Sequence, residues 1–184
     1  MEERDGARER AAAVSLVVLD VDGVLTDGSI FLDSSGAEIK RFNVKDGTGL
    51  KYLRRCGLRL AIISGRESAA VEARASDLGI ENVYQGYKEK LRAYDDLKSK
   101  LGVSDEEVAY LGDDFPDIPV MRRCGLAVAV ADAREEVKAS AHLVTGLPGG
   151  CGAAREFSEW LLKARGRWEE ITSRYFDEGE KAGE

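Results

Sequence analysis

The chain of 184 residues contains one histidine, His142, and that scarcity removes much of enzyme chemistry at once. Histidine metal clusters are impossible, and a nucleophile activated through a histidine triad is disfavoured. His142 itself lies in a short strand-like segment and reads as a partly buried side chain without a functional role. Cysteine is nearly as scarce. Cys56, Cys124 and Cys151 lie far apart and form no CxxC pattern, so they read as free thiols of a reducing cytoplasm. Positive charge is in deficit: a net charge of -7 argues against general binding to nucleic acid or an anionic membrane. Long apolar runs are missing as well. The run before Asp20 is too short for a bilayer span, and no signal peptide is read ahead of it. No internal repeat is found. The length suits one soluble domain with its own core.

What is present is alternation. Strand-like apolar runs fall at Leu16–Asp20, Leu58–Ser64, Asn82–Tyr84, Val108–Gly112, Leu126–Val130 and His142–Val144. Helical spacing marks Gly47–Cys56, Glu67–Leu78, Lys88–Leu101 and Pro116–Arg123 between them. This order predicts an α/β, Rossmann-like fold with a mostly parallel sheet and helices on both faces. Gly57, Gly79, Gly102 and Gly125 stand where helices should stop, and Ser104 with Glu107 has the spacing of a capping box. Residues 1–13 mix charges of both signs and read as a flexible tail, ahead of a core at 14–165. Residues 166–184 read as a C-terminal helix and a polar, disordered tail. Its Trp168, Tyr175 and Phe176 could serve core packing, an interface or a lid over a site, with packing and an interface the favoured expectation.

One segment breaks the alternation. Residues 28–43 contain two short alternating runs around the turn Asp33-Ser34-Ser35-Gly36, which predicts a projecting β-hairpin. No later segment is long enough to form a separate cap domain. The site beside this hairpin is therefore open unless the hairpin or another subunit covers it.

The chemistry gathers at strand ends. Asp20 and Asp22 end the first strand, and two acids so close are costly to leave bare. A Mg²⁺ ion, or a division of labour between nucleophile and acid, removes that cost. Ser64-Gly65-Arg66 ends the second strand, Lys90 begins a later helix, and Gly112-Asp113-Asp114 with Asp117 ends the fourth strand. In a parallel sheet all of these reach one rim, where open α/β folds bind ligands. Each piece alone has a bland reading: a solvated turn, a helix N-cap, an exposed lysine, or acids at a helix N-terminus. Together they suit phosphoryl transfer. Mg²⁺ takes a few carboxylate oxygens plus substrate phosphate, while serine and lysine supply donors for phosphoryl oxygens.

In order along the chain, the stretch Asp20–Asp27, then Ser64, Lys90 and Gly112–Asp117 resemble the four motifs of the haloacid dehalogenase-like phosphatases. The resemblance runs from Val14 to Arg165 and narrows further. The early hairpin, the missing cap, Gln85-Gly86 and the stretch Gly149–Glu156 resemble the capless 3-deoxy-D-manno-octulosonate 8-phosphate phosphatases of lipopolysaccharide precursor synthesis. The resemblance implies that Asp20 is the nucleophile, forming an aspartyl-phosphate, and that Asp22 protonates the leaving sugar oxygen and then activates water. It implies Mg²⁺ bound by Asp20, Asp113 and the backbone carbonyl of Asp22. Ser64 and Lys90 are implied to hold phosphoryl oxygens, with Asp114 and Asp117 orienting the metal's waters and Lys90. It further implies a cytoplasmic homotetramer in which one subunit's hairpin helps close a neighbour's site.

Specificity must come from outside the phosphate pocket. Arg66 is placed to meet the carboxylate of a sugar acid, and the octulosonate enzymes are similar in having arginine there. Gly65, Thr26 and Arg74 join the expected substrate-binding set, although Arg74 has a bland alternative in an ion pair with Glu67 or Asp77. Glu67 and Cys151 depart from the residues usual in the resembled group. Rival readings are a nine-carbon ulosonate 9-phosphate phosphatase, another small-sugar phosphatase, an idle oligomeric subunit, and a receiver-type signalling domain. The last places its phosphorylated aspartate well after the acidic pair, whereas here the paired acids lead.

Overall fold

Four consecutive apolar residues, Leu16–Leu19, form β2, and every one of them is buried. A strand buried on both faces belongs inside a parallel sheet. The computed structural model, which describes residues 1–3 and 6–176, places it there. Among the described residues seven strands form one sheet, in the order β1-β9-β8-β7-β2-β5-β6. Their ranges are β1 Glu2–Glu3, β5 Arg59–Ile63, β6 Asn82–Tyr84, β7 Val108–Gly112, β8 Leu126–Ala129 and β9 Leu143–Val144. All pairings are parallel except that of β1 with β9. From β2 the chain builds outward through β5 and β6 on one side, and through β7, β8 and β9 on the other. The order therefore reverses between β2 and β7, and the crevice outside their carboxyl ends is where such folds bind ligands.

The helices are α1 Ala7–Ala13, α2 Val44–Arg55, α3 Ala69–Leu78, α4 Lys90–Leu101, α5 Ile118–Met121, α6 Glu135–Ala139, α7 Ala153–Ala164 and α8 Trp168–Phe176. α1 and α2 pack on α7, α4 packs on α5, and β5 touches both α2 and α4. The sheet is thereby covered on both faces, as its continuous burial requires. The Ser104 and Glu107 capping box is present, on a 3₁₀ turn ahead of β7. Among the described residues no helix is long and apolar enough to cross a membrane.

The N-terminal segment is not a flexible tail. Glu2 and Glu3 pair antiparallel with Val144 and Leu143, and α1 buries Ala7 and Ala11 completely. Arg165 donates to the carbonyls of Ala11, Ala12 and Val14 at 2.7–3.0 Å, and Trp160 Nε1 donates to Glu3 at 2.7 Å. Alanines let α1 approach closely without a long apolar stripe, so composition alone hides the contact. The helix expected at Pro116–Arg123 is instead a 3₁₀ turn, Phe115–Asp117, followed by the single turn of α5. In α8, Ile171 is buried and Trp168 meets Tyr52 edge-on at 6.3 Å, while Tyr175 and Phe176 stay exposed. The expected polar tail at 177–184 lies outside the described residues. His142 is structural: its Nδ1 accepts from the Ala127 backbone N–H at 2.9 Å.

The hairpin forms as expected, from β3 Phe31–Leu32 and β4 Glu38–Ile39, as a sheet of its own. The Asp33 carboxylate accepts from the backbone N–H of Ser35 and Ala37 at 2.8 and 2.9 Å, which folds the turn. Ile30, Phe31, Leu32 and Ile39 are all exposed.

A glycine-rich loop ahead of α7 braces the turn that follows β2. Gly150 N–H donates to the Val24 carbonyl at 2.9 Å, and a Cβ at Gly149 would lie 1.7 Å from the Gly23 oxygen. Backbone meets backbone there, so no side chain can yield. Replacing Gly149 with alanine is therefore expected to destabilise the fold by about 1–3 kcal/mol or more. Chemical denaturation measures this, and the same displacement would move Asp22, which the turn carries.

Candidate active site

The sheet's carboxyl edge brings Asp20, Asp22, Ser64, Gly65, Arg66, Lys90, Asp113, Asp114 and Asp117 around one cleft of about 480 Å³. A larger open groove of about 630 Å³ runs along β6 and holds none of these groups. The shared rim is a consequence of strand direction, since β2, β5 and β7 all end there.

Lys90, the first residue of α4, is the centre of the arrangement. It is only 5% exposed, and its Nζ lies 2.8 Å from Asp20 Oδ1 and 2.7 Å from Asp117 Oδ1. Burial alone would lower its pKa, but the charges of Asp20 and Asp117 outweigh burial and raise it. Lys90 is thus a fixed cation.

Asp117 is fully buried, and every acceptor position of its carboxylate is taken. Oδ1 accepts from Lys90 and from the Tyr110 hydroxyl at 2.6 Å; Oδ2 accepts from the backbone N–H of Asp113 and Asp114 at 3.0 and 3.2 Å. Tyr110 rises from the middle of β7 and is itself completely buried. Burial, together with Asp117's charge, raises its pKa far above the ordinary value, which keeps the hydroxyl a donor.

Asp20 and Asp113 are the strained pair. Burial first, then the charge of Asp117, pushes Asp20 up to about 6, while Lys90 pulls it back. Burial and the charge of Asp20 push Asp113 up to about 8. Asp113 Oδ1 is buried and has no hydrogen-bond partner among the described residues. Its Oδ2 occupies the space that a Cβ at Gly23 would fill, 2.0 Å away, in a backbone with φ of +90°. An unpartnered buried carboxylate oxygen beside a second carboxylate fits a hard divalent cation. Asp117 also lies within 4.8 Å of both groups, but its full set of four donors leaves it no free position. The residues that fit a metal are therefore Asp20 and Asp113.

Ser64 follows β5 and is buried. Its Oγ accepts from the Arg66 backbone N–H at 3.3 Å, which leaves the hydroxyl proton free for an anion. Asp114 caps the 3₁₀ turn through the Phe115 N–H at 2.8 Å and borders the cleft. Asp22 is held from the side. Lys40 Nζ lies 2.5 Å from its Oδ1, and Arg66 Nε lies 3.7 Å from its Oδ2.

Two expected substrate contacts are not in the cleft. The Thr26 hydroxyl is buried in the turn after β2, accepting from Gly28 N–H at 3.2 Å and reaching the Val21 carbonyl at 3.4 Å. Within its own chain Arg74 is engaged elsewhere. It pairs with Asp77 at 2.8 Å, donates to the Asn43 carbonyl at 3.2 Å and covers the Phe42 ring. Sequence reasoning missed Tyr110, Glu38 and Lys40. Tyr110 sits in an apolar strand and looks like core. Glu38 and Lys40 carry a usable signal, because residues two apart in a strand share a face.

A parallel α/β sheet with this carboxylate, lysine and serine set at its switch point defines a haloacid dehalogenase-like hydrolase. The model of that description, haloacid dehalogenase-like hydrolase, matches residues 79–148. The 3-deoxy-D-manno-octulosonate 8-phosphate phosphatase KdsC of Escherichia coli K12 is 47% identical over 161 residues, spanning 88% of this chain and 86% of the relative. The crystal structure of the Yersinia pestis 3-deoxy-D-manno-octulosonate 8-phosphate phosphatase aligns with a TM-score of 0.88 and 45% identity, covering 90% of this chain and 89% of that one. The Moraxella catarrhalis enzyme, solved in complex with magnesium, phosphate and KDO, aligns with a TM-score of 0.91 and 40% identity, covering 93% and 98%. The chain belongs to the family of 3-deoxy-D-manno-octulosonate 8-phosphate phosphatases.

The Tyr110–Asp117 contact yields a prediction. Tyr110→Phe removes a donor from a buried carboxylate and is expected to cost about 1.5–3 kcal/mol of stability, read by denaturant unfolding.

Proposed function

We propose that the chain hydrolyses 3-deoxy-D-manno-octulosonate 8-phosphate to the free sugar acid and phosphate, with Mg²⁺ as cofactor. The observation that carries this reading is the buried Lys90 ammonium fixed beside Asp20, with Asp113 and Ser64 on the same rim.

The Asp20 and Asp113 carboxylates and the Asp22 backbone carbonyl would hold the metal, which would supply positive charge to the phosphoryl group and keep both acids ionised. Asp20 attacks phosphorus, and the bond from phosphorus to the sugar oxygen breaks. Asp22 gives its proton to that leaving oxygen. Asp22 then takes a proton from water, the water attacks the aspartyl-phosphate, and Asp20 is regenerated with release of phosphate. Ser64 Oγ and Lys90 Nζ donate to the phosphoryl oxygens throughout, at positions set before substrate arrives. Arg66, half-exposed at the mouth, meets the sugar-acid carboxylate.

The exposed apolar hairpin, with Ile30, Phe31, Leu32 and Ile39, supports a homotetramer in which it closes a neighbour's site. The free thiols, two buried and one exposed, support a reducing cytoplasm.

Three measurements follow. Asp20→Asn should abolish Mg²⁺-dependent phosphate release while the protein remains folded. Across a panel of phosphorylated sugars and sugar acids the eight-carbon acid should give the highest kcat/KM. Preference for a nine-carbon acid or a neutral sugar phosphate sinks the substrate and leaves the chemistry. Sedimentation should find the active species oligomeric, and a fully active monomer would contradict closure by a neighbour.

A further inference from the structure

The hairpin reaches its own chain's active site as well as outward. Glu38 in β4 and Lys40, the residue just past that strand, are two apart and face inward, whereas Ile39 between them pairs across the ladder with Phe31 and faces out. The contrast in exposure is sharp: Ile39 is 56% exposed, and the Lys40 side chain is 2% exposed.

What the inward face meets is Asp22. Lys40 Nζ lies 2.5 Å from Asp22 Oδ1 and 2.9 Å from Glu38 Oε1, the latter an ion pair outside hydrogen-bond geometry. Arg66 Nη2 bonds Glu38 Oε2, and Arg66 Nε lies 3.7 Å from Asp22 Oδ2. Four charges alternate around a ring: Asp22, Lys40, Glu38, Arg66. Each oxygen of Asp22 faces a cation, and Glu38 holds both cations.

This ring answers a mechanical need. Strand β2 ends at Leu19, so Asp22 sits on a turn and no ladder fixes its side chain. A lysine that spends most of its exposed surface to reach a carboxylate loses rotamer freedom, which is recovered only through strong pairing. We propose that Lys40 and Glu38 are positioning residues for the reaction: Lys40 aims the Asp22 carboxylate at the leaving oxygen, and Glu38 fixes Lys40 together with Arg66. The proposal rests on Asp22 being the proton donor.

The test separates proton donation from general damage. Phenyl phosphate has a poor leaving group that needs a proton, and p-nitrophenyl phosphate has a good one that does not. Neither carries a carboxylate for Arg66. With the full-length Mg²⁺-loaded protein, Lys40→Met should lower kcat/KM by about tenfold or more for phenyl phosphate and by less than about threefold for p-nitrophenyl phosphate. Lys40→Arg should restore most of the loss, and Glu38→Gln should shift the ratio in the same direction by a smaller factor. Sedimentation of Lys40→Met should match the wild-type mass. Equal losses on both substrates, no loss on either, or an altered mass would overturn the proposal. Asp22→Asn decides the underlying reading separately. If it leaves phenyl phosphate turnover intact, Asp22 is not the donor; if it shows the leaving-group dependence and Lys40→Met does not, only the positioning role fails.

Discussion

A single buried ammonium organises this protein. Lys90 sits between Asp20 and Asp117 at the carboxyl edge of the sheet, almost out of water. A charge there without partners costs several kcal/mol, and removing one member of a buried pair typically costs 3–5 kcal/mol. The fold therefore has to deliver three elements, β2, β7 and α4, to within hydrogen-bond reach of one another. Asp117 spreads the constraint further, since its second oxygen takes the backbone N–H of Asp113 and Asp114 and its first takes Tyr110. Stability and catalytic geometry are the same network here.

Around that fixed point the chain leaves one electrostatic debt, the Asp20 and Asp113 pair. Burial drives both carboxyls upward, and the charge of Lys90 opposes both shifts while its hydrogen bond goes to Asp20. The unpartnered Asp113 Oδ1 and the glycine that gives its Oδ2 room mark where a divalent cation completes the charge balance. The hairpin and the glycine-rich loop then brace the turn that carries Asp22, one through side chains and the other through backbone. Site precision comes from supports outside the reacting groups.

Much of this was legible in the sequence, for a physical reason. Strands buried on both faces read as unbroken apolar runs, so Leu16–Leu19 and Val108–Gly112 announce themselves, and the residues just beyond them must lie on the rim. Asp20, Ser64 and Asp113 lie just beyond such runs, while Lys90 opens the helix that follows β6. What sequence could not give were pairings settled only in three dimensions. Arg74 had an acid three residues away, and that local ion pair took it. Thr26 spent its hydroxyl on its own turn. Helix α1 buries two alanines, too small a stripe to stand out among alternating charges. Tyr110 is hidden by its apolar neighbours, and Glu38 and Lys40 meet the Asp22 turn only once the hairpin has folded back on it.

The proposed reaction requires that a carboxylate oxygen of Asp20 form the bond to phosphorus. The most direct measurement is a rapid-quench single turnover with substrate labelled in its phosphoryl group, followed by mapping of the acid-trapped label on peptides. Label on the peptide that contains Asp20, formed and lost within one turnover and missing in Asp20→Asn, is the predicted result. Full-rate release of phosphate with no label ever on the protein would contradict it.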